Sequence, residues 1–558
     1  MPIREQPRAL GILLTLLLAV ALAIGGQRMP AVVPASAPAG EVSGARAMAV
    51  LQKLAAEPRP VGSAPHRQAL ELVVAELAAA GYAAEQNRAV LGIELCNLVV
   101  PIAGTAPTGT VLLLAHSDSV ARSPGAGDDG VGVVSWIEAL RALGATGWRP
   151  RNDVLLLLTD GEERGMLGAL AFARTDPRVA KVKTVVNLEA IGNGGPAYLF
   201  ELGPHNGARV RLFADTVARP AGSSFAEAVY HLLPNDTDLS IFLQRGTQGF
   251  NLALARGSCA YHAPHDTPEH LDPRSVQHMA DCAAALARRL GDTDLGTLRD
   301  DDVTFFDCYG FGVVVTPRAF EPWFAALAIA LSAGAVWRLR PGPRLVVGAL
   351  LRHVVGVALL LALVVAAAWS LRWASGHLLP RGPVAGNTTS AALLFASAVA
   401  FAVSCALPRI DANVQQAPLR AAVAAVLWGL VGAVAAFWLP GTSYAFTWPA
   451  IAVSLQLLLP LRARDSFAAT LVPFVVACVV GMPILHLLTQ LMAPDPVVAV
   501  GIVVAAVASA SRLLAVALVP VANVRAARRV LWLVAGAGLL GAAVVALGLG
   551  WRCGSLWP

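Results

Sequence analysis

The chain has 558 residues, more than one ordinary domain needs and enough for two or three. Hydrophobic residues make up 56% and charged residues only 14%; soluble domains carry roughly 25% charged, so the balance argues against a wholly soluble protein and points to a membrane. The net charge of +6 does not suggest nucleic acid, because the C-terminal basic residues cluster in short loops between apolar runs, as membrane orientation signals do.

Residues 9–26, ALGILLTLLLAVALAIGG, form an uncharged apolar stretch just after Arg4 and Arg8. That length is borderline for a span, which takes about 20 residues, and residues 1–28 read as a retained signal anchor. Cleavage at Ala35-Ser36-Ala37 is disfavoured by Pro38. Either outcome exports the adjoining domain. A Pro/Ala/Gly linker covers 29–42. Residues 43–296 then alternate amphipathic helices with apolar strands. The patterning predicts helices near 43–56, 65–81, 130–143, 165–175 and 273–290, and strands near 110–115, 153–159, 183–188 and 248–253. This alternation implies an α/β fold: a mostly parallel central sheet between two helical layers, a three-layer α/β/α domain.

Residues 297–320 read as a transition, and 321–558 as an all-α transmembrane domain. From Pro322 onward the only acidic residues are Asp411, Asp465 and Asp495. Eight apolar segments are expected near 321–338, 353–371, 389–407, 420–438, 444–460, 467–490, 496–518 and 529–550. With the N-terminus in the cytoplasm, the loops RLRPGPR (338–344), PRIDANVQQAPLR (408–420), LRARD (461–465) and NVRAARR (523–529) fall on the cytoplasmic side. The opposite loops are almost free of Lys and Arg, as the positive-inside rule requires.

The chemistry is carried by polar residues at the ends of apolar runs, where a sheet-based enzyme places its ligands. His116 and Asp118 close LLLAHSD, Asp128 lies in PGAGDDG, and Glu162-Glu163 end LLLLTDGEE. Glu189 lies in VVNLEA and His262 in AYHAPHDT. Zinc takes imidazole nitrogen and carboxylate oxygen, and the seven cysteines form no CxxC pair that would offer thiolates instead. Two histidines and three carboxylates suit a pair of zincs bridged by one carboxylate. In the Glu-Glu pair, one glutamate can bind metal while its neighbour serves as general base. Asp118, two residues beyond His116, is spaced to accept the second proton of that imidazole. GAGDDGVG lacks the Lys-Ser/Thr of a phosphate-binding loop, and no GxSxG elbow marks a serine hydrolase.

LLLAHSDSV, PGAGDDGVG, LLTDGEERGMLGA, NLEAIG and YHAPHDTPEHLD, in this order, resemble the motifs of the co-catalytic (two-zinc) metallo-aminopeptidase family. That family includes the bacterial leucyl aminopeptidases and glutamate carboxypeptidase II. The resemblance spans roughly 45–290. The multi-span remainder is similar in arrangement to the membrane branch, which includes the endoplasmic reticulum metallopeptidase and the vacuolar membrane protease. Carried over, the resemblance implies Asp128 as the bridging carboxylate, Glu163 and His262 completing one zinc site, and His116 and Glu189 the other. It implies Glu162 as general base and Asp118 as the partner of His116. Glu189 stands where many members carry Asp, and His262 rather than His265 matches the ligand. LPNDTDLSIF resembles the Asp-rich loop before the last ligand, so Asp236, Thr237 and Asp238 either shape the substrate pocket or cap the next helix.

The expected protein is a membrane-anchored zinc aminopeptidase, with two Zn2+ per chain, acting on peptides at the exported face of the bilayer. The topology fits a bacterial inner membrane with a periplasmic enzyme domain, or an equivalent organellar lumen. The alternatives are a single-zinc glutaminyl cyclase and a non-catalytic, membrane-attached binding protein. Oligomeric state and substrate side-chain preference are not legible.

Overall fold

The computed structural model describes residues 29–308, 310–355, 358 and 416–460, with scattered positions from 469 to 484. The expected apolar segments at 9–26, 389–407, 496–518 and 529–550 lie outside the described residues, as does nearly all of 353–371 and much of 467–490. The described chain divides into two units, which meet between Pro317 and Arg318.

The first unit is built on an eight-stranded sheet in the order β1-β2-β4-β3-β5-β8-β6-β7. Its strands are β1 (Glu85–Val90), β2 (Glu94–Ile102), β3 (Thr110–His116), β4 (Asp153–Thr159), β5 (Val182–Ala190), β6 (Gly194–Leu202), β7 (Ala221–Gly222) and β8 (Gln248–Arg256). β4, β3, β5 and β8 run parallel, and β2 and β6 flank them antiparallel. The parallel strands read TVLLLAH, DVLLLLT and VKTVVNLEA, near-continuous apolar runs of the kind that needs cover on both faces. Alternate residues divide between two cores. Val111, Leu113 and Ala115 pack with Trp136, Leu140, Met279 and Leu286 on one face. Leu112 and Leu114 pack with Phe172, Leu239 and Phe242 on the other. The helices are α1 (Gly44–Leu54), α2 (Ala64–Ala79), α3 (Gly132–Ala145), α4 (Leu167–Thr175), α5 (Gly207–Thr216), α6 (Ser224–Tyr230), α7 (Asp238–Leu243) and α8 (Pro273–Asp292). This is the expected three-layer α/β/α domain.

The connection through α3 carries the chain from β3 outward to β4, and the one through α4 brings it back past β3 to β5. The winding therefore reverses between β3 and β5. In open α/β sheets the crevice at such a reversal, beyond the carboxyl ends of the strands, is where ligands bind.

Two segments are more ordered than their composition suggests. The stretch 29–42 is tied down by its own carbonyls: Arg46 donates to Ala35, Ala37 and Glu41, and Arg141 to Ala39 and Glu41. Residues 297–320 contain a hairpin, β9 (Val303–Asp307) with β10 (Val313–Pro317). Ser224 Oγ holds it by donating to Phe305 O and accepting from Phe305 N, at 3.0 and 3.1 Å.

The second unit contains α9 (Glu321–Leu339), α10 (Ala417–Trp438) and α11 (Tyr444–Leu458). They meet through small side chains, Ala328, Ala335, Ala421, Ala425 and Ala450; alanine and glycine let helix backbones approach closely. Trp323, Trp337, Phe437 and Trp438 are exposed. Among the described residues, the helical stretches Arg318–Leu339 and Pro418–Trp438 are apolar and long enough to cross a membrane. α11, with 15 residues and Pro449 inside it, rises only about 22 Å at ~1.5 Å per residue, short of the ~30 Å hydrocarbon core.

His278 of α8 is a buried structural imidazole. Its Nδ1 accepts from Ala197 N at 3.1 Å and its Nε2 lies 3.1 Å from Arg219 O, a pair of bonds that only the Nε2–H neutral tautomer makes. Burial lowers its pKa to about 4. Because the folded value lies below the ordinary 6.5, its contribution is complete above pH 6.5 and is lost as pH falls toward 4. The lost stability is roughly 2–3 kcal/mol. In thermal unfolding of the full chain, the drop in Tm from pH 7 to pH 5 should be smaller for His278→Gln than for the native protein. Equal drops would overturn this assignment.

Candidate metal centre

β3 ends on His116, which is 1% exposed, and the loop after it is shaped from within. Arg59, fully buried, donates from Nε to Ser117 O at 2.8 Å, from Nη2 to Gly125 O at 2.9 Å, and from Nη1 to Pro124 O. A single planar guanidinium thus fixes the turn that carries Asp128. The next bonds come from a distant loop. Asp266 Oδ1 accepts from Gly127 N at 2.7 Å, and its Oδ2 accepts from Asp128 N at 3.1 Å. The approach at Gly127 is close: a Cβ there would stand 2.7 Å from Gly192 O. Asp129 turns away from Asp128 and accepts from His116 N at 3.2 Å and Gly132 N at 3.0 Å, which anchors the start of α3.

Beyond β4, Gly161 at a φ of 70° turns the chain into the short helical turn Glu162–Arg164. Asp118 reaches across and accepts from both backbone N–H groups of the pair, Glu162 at 3.1 Å and Glu163 at 3.3 Å. Its carboxylate also stands 3.5 Å from His116 Nδ1. Asp118 therefore couples the first histidine to the glutamate pair, more than the single partnership the spacing predicts. Glu189 projects from β5, and Asn187 on the same strand face donates to its Oε1 at 3.3 Å. His262 adopts a φ of 53°, a left-handed conformation that costs a non-glycine residue about 1–3 kcal/mol. Its ring stacks on Tyr261 with centroids 3.9 Å apart.

These elements converge on the Asp128 carboxylate. Its Oδ1 lies 3.1 Å from His116 Nε2, and its Oδ2 lies 3.2 Å from His262 Nε2. His116 Nε2 is also 3.7 Å from Glu189 Oε2, and His262 Nε2 is 2.9 Å from Glu163 Oε2. Burial opposes ionisation of Asp128, but the imidazoles of His116 and His262 outweigh it and hold the carboxyl at about 2. His262 is raised to about 10, against its own burial, by Asp128 and Glu163. Burial, reinforced by neighbouring acids, pushes Glu162 and Glu189 well above the ordinary carboxylate range. So many acids in one buried place remain stable only with positive charge among them.

A divalent cation meets that demand, and the donor atoms are spaced for one. The groups His116, Asp129, Glu189 and Asp128, Glu163, His262 each offer ligand atoms within 4.8 Å of one another. Zinc–ligand bonds of roughly 2.0 Å set tetrahedral ligands about 3.3 Å apart, close to the contacts above. Glu163 Oε1 is buried without a hydrogen-bond partner among the described residues, and a buried polar atom without a partner calls for a ligand.

All seven residues singled out as ligands or catalytic groups lie in this cluster. His265 does not join it and faces the His270 ring at 6.3 Å. In the Asp-rich loop Asp236 is exposed and Thr237 caps α7, its side chain and that of Ser240 forming a capping box. Asp238 is buried and bonded to Thr159 Oγ1. Sequence reasoning missed Asp129, Asp266 and Arg59. All three act on backbone groups, and nothing in the local sequence marks a bond made 139 residues away.

Residues 97–287 match the family model of Peptidase family M28, from β2 into α8. Over that segment, about a third of the chain, the α/β unit is similar to a peptidase family, the class that the ordered motifs imply. Endoplasmic reticulum metallopeptidase 1 of Homo sapiens is 31% identical over 214 residues, 37% of this chain and 24% of that protein. The vacuolar membrane protease of Verticillium alfalfae is 36% identical over 240 residues, 40% of this chain and 23% of that protein. The chain thus spans about a quarter of the length of these relatives. Among solved structures, a glutaminyl cyclase of Porphyromonas gingivalis is similar at 19% identity, covering 45% of this chain and 98% of that one, with a TM-score of 0.37. An aminopeptidase from Aneurinibacillus sp. strain AM-1 is similar at 12% identity, covering 44% and 94%, with a TM-score of 0.36. Likeness at this level decides nothing about activity.

If Asp266 sets the Asp128 turn, Asp266→Ala removes both acceptors and should weaken zinc binding about 10- to 100-fold. Asp266→Asn keeps one acceptor and should lose less. Chelator-competition titration checks this; native affinity in Asp266→Ala would show that the turn holds itself.

Proposed function

We propose that the α/β unit is a two-zinc exopeptidase that removes N-terminal residues from peptides. The observation that carries this is the position of Asp128, with one oxygen toward His116 and the other toward His262, as a carboxylate shared by two cations requires. His116 and Glu189 would hold one zinc, Glu163 and His262 the other. Bound zinc lowers the pKa of a water and polarises the scissile carbonyl. The chain's own residues supply the rest. Glu162 is adjacent to a ligand and, among the described residues, is not one of the groups spaced to hold metal. Its backbone is fixed by Asp118. It takes the proton of the attacking water and returns it to the leaving amine nitrogen, a general base turned general acid. The buried acids near His116 favour a cationic group, so the free amino terminus of the peptide binds on that side.

The same reading anchors the enzyme in a bilayer through α9, α10 and the further apolar segments, with Arg-rich loops such as 338–344 in the cytoplasm and the α/β unit on the exported side. A bacterial inner membrane with a periplasmic enzyme domain fits this topology. One relative is named for the endoplasmic reticulum and the other for the vacuolar membrane.

Glu162→Gln should lower turnover by at least ~100-fold and leave the zinc content near two per chain. The native protein should hydrolyse peptides with free N-termini and spare N-blocked ones. One zinc with cyclised N-terminal glutamine would replace the proposal by a cyclase, and turnover that survives Glu162→Gln would remove Glu162 from the mechanism.

A further inference from the structure

Three strands of an otherwise apolar sheet carry polar side chains in one transverse row. Asn187 of β5 pairs in register with Asn251 of β8, and Asn251 pairs with Glu201 of β6. Asn187 and Asn251 are fully buried and Glu201 is 3% exposed. Asn251 Nδ2 donates to Glu201 Oε2 and to Thr237 Oγ1, both at 2.8 Å. Asn187 Nδ2 donates to Asn251 Oδ1 at 3.0 Å and to Glu189 Oε1 at 3.3 Å.

The row has a direction. A side-chain amide has two N–H donors and one carbonyl. Glu201 Oε2 accepts one proton of the Asn251 amino group and Thr237 Oγ1 accepts the other. The Asn251 oxygen is left facing Asn187, which turns its own amino group inward, one proton on Asn251 and one on Glu189. Turning Asn187 over would set its oxygen against the Glu189 carboxylate. Glu189 is one methylene longer than the Asp of many family members, so its terminal carboxylate has one more torsion to fix. The donor from Asn187 fixes it, and leaves Oε2 aimed toward His116 at 3.7 Å.

We propose that Asn187, Asn251 and Glu201 are positioning residues for Glu189: a donor-to-acceptor relay begun by Glu201 two strands away orients the ligand on the His116 side of the metal centre. This rests on the two-zinc reading. All three are buried, and the predicted effect is on one metal site only.

The test measures zinc stoichiometry and stepwise affinity of the full-length protein by chelator competition, with Tm as a check on folding. The native chain must first bind two zincs, and if it does not, the two-zinc reading fails and not the relay. Given two, Asn251→Leu, close in shape but without donor or acceptor, should loosen one zinc by about tenfold or more and leave the other unchanged. Glu201→Met should loosen the same zinc, whereas Glu201→Gln should bind it nearly as the native chain does, since its amide oxygen can accept the same N–H. If Asn251→Leu does not fold, the Glu201 pair decides. The proposal is overturned if the folded variants hold both zincs at native affinity, if both zincs loosen equally, or if Glu201→Gln is as damaged as Glu201→Met.

Discussion

The centre is governed by charge that has been taken out of water. Asp118, Asp128, Asp129, Glu162, Glu163 and Glu189 gather at the carboxyl ends of β3, β4 and β5, most of them buried, with the imidazoles of His66, His116 and His262 and the Arg59 guanidinium nearby. Two unit charges 4 Å apart interact by about 4 kcal/mol at an effective dielectric of 20, so repulsion among these acids is comparable to the net stability of a domain. The imidazoles and Arg59 offset part of it. The remainder is the reason for a cation, and it makes the metal a condition of the local structure as well as a reagent.

That condition explains how the loops are built. Each ligand loop is held by an acid or a base that bonds backbone: Asp118 to the Glu162-Glu163 turn, Asp266 to the Asp128 turn, Asp129 to the end of β3 and the start of α3, and Arg59 to three carbonyls. Such bonds fix where a ligand's Cα sits before any metal arrives, and a preorganised donor set loses less on binding. The loops are also tied to one another. Asp266 follows His262 by four positions and grips the Asp128 turn, so His262 and Asp128 cannot drift apart independently.

The legible and illegible parts of the sequence divide along the same line. β3, β4, β5 and β8 were readable because parallel strands covered on both faces are apolar throughout, and the ligands were readable because they stand at the ends of those runs. The flanking strands gave weaker signals. β1 is EQNRAV on an exposed edge, and β6 opens with Gly-Gly and alternates only partly. The stretch 29–42 has the composition of a linker, and its order comes from Arg46, Arg141 and Gln277, which lie elsewhere in the chain. The same holds for Asp266 and Arg59: their partners are backbone atoms, which carry no sequence signature.

Polar residues inside the sheet are the remaining departure from pattern, and their energetics say why they matter. A buried network of amides and carboxylates is often no more stabilising than well-packed apolar residues of the same volume. Asn187 Oδ1 even lacks a partner among the described residues, at a cost of order 1–3 kcal/mol. Stability alone would favour Leu or Val at 187 and 251, as in the rest of β5 and β8. A sequence that keeps two asparagines and a glutamate there is giving up stability, and proteins break local rules in this way chiefly at functional sites. The row ends at Glu189 on one side and branches to Thr237 from Asn251, and the orientation of Glu189 is the function that the proposed relay gives it.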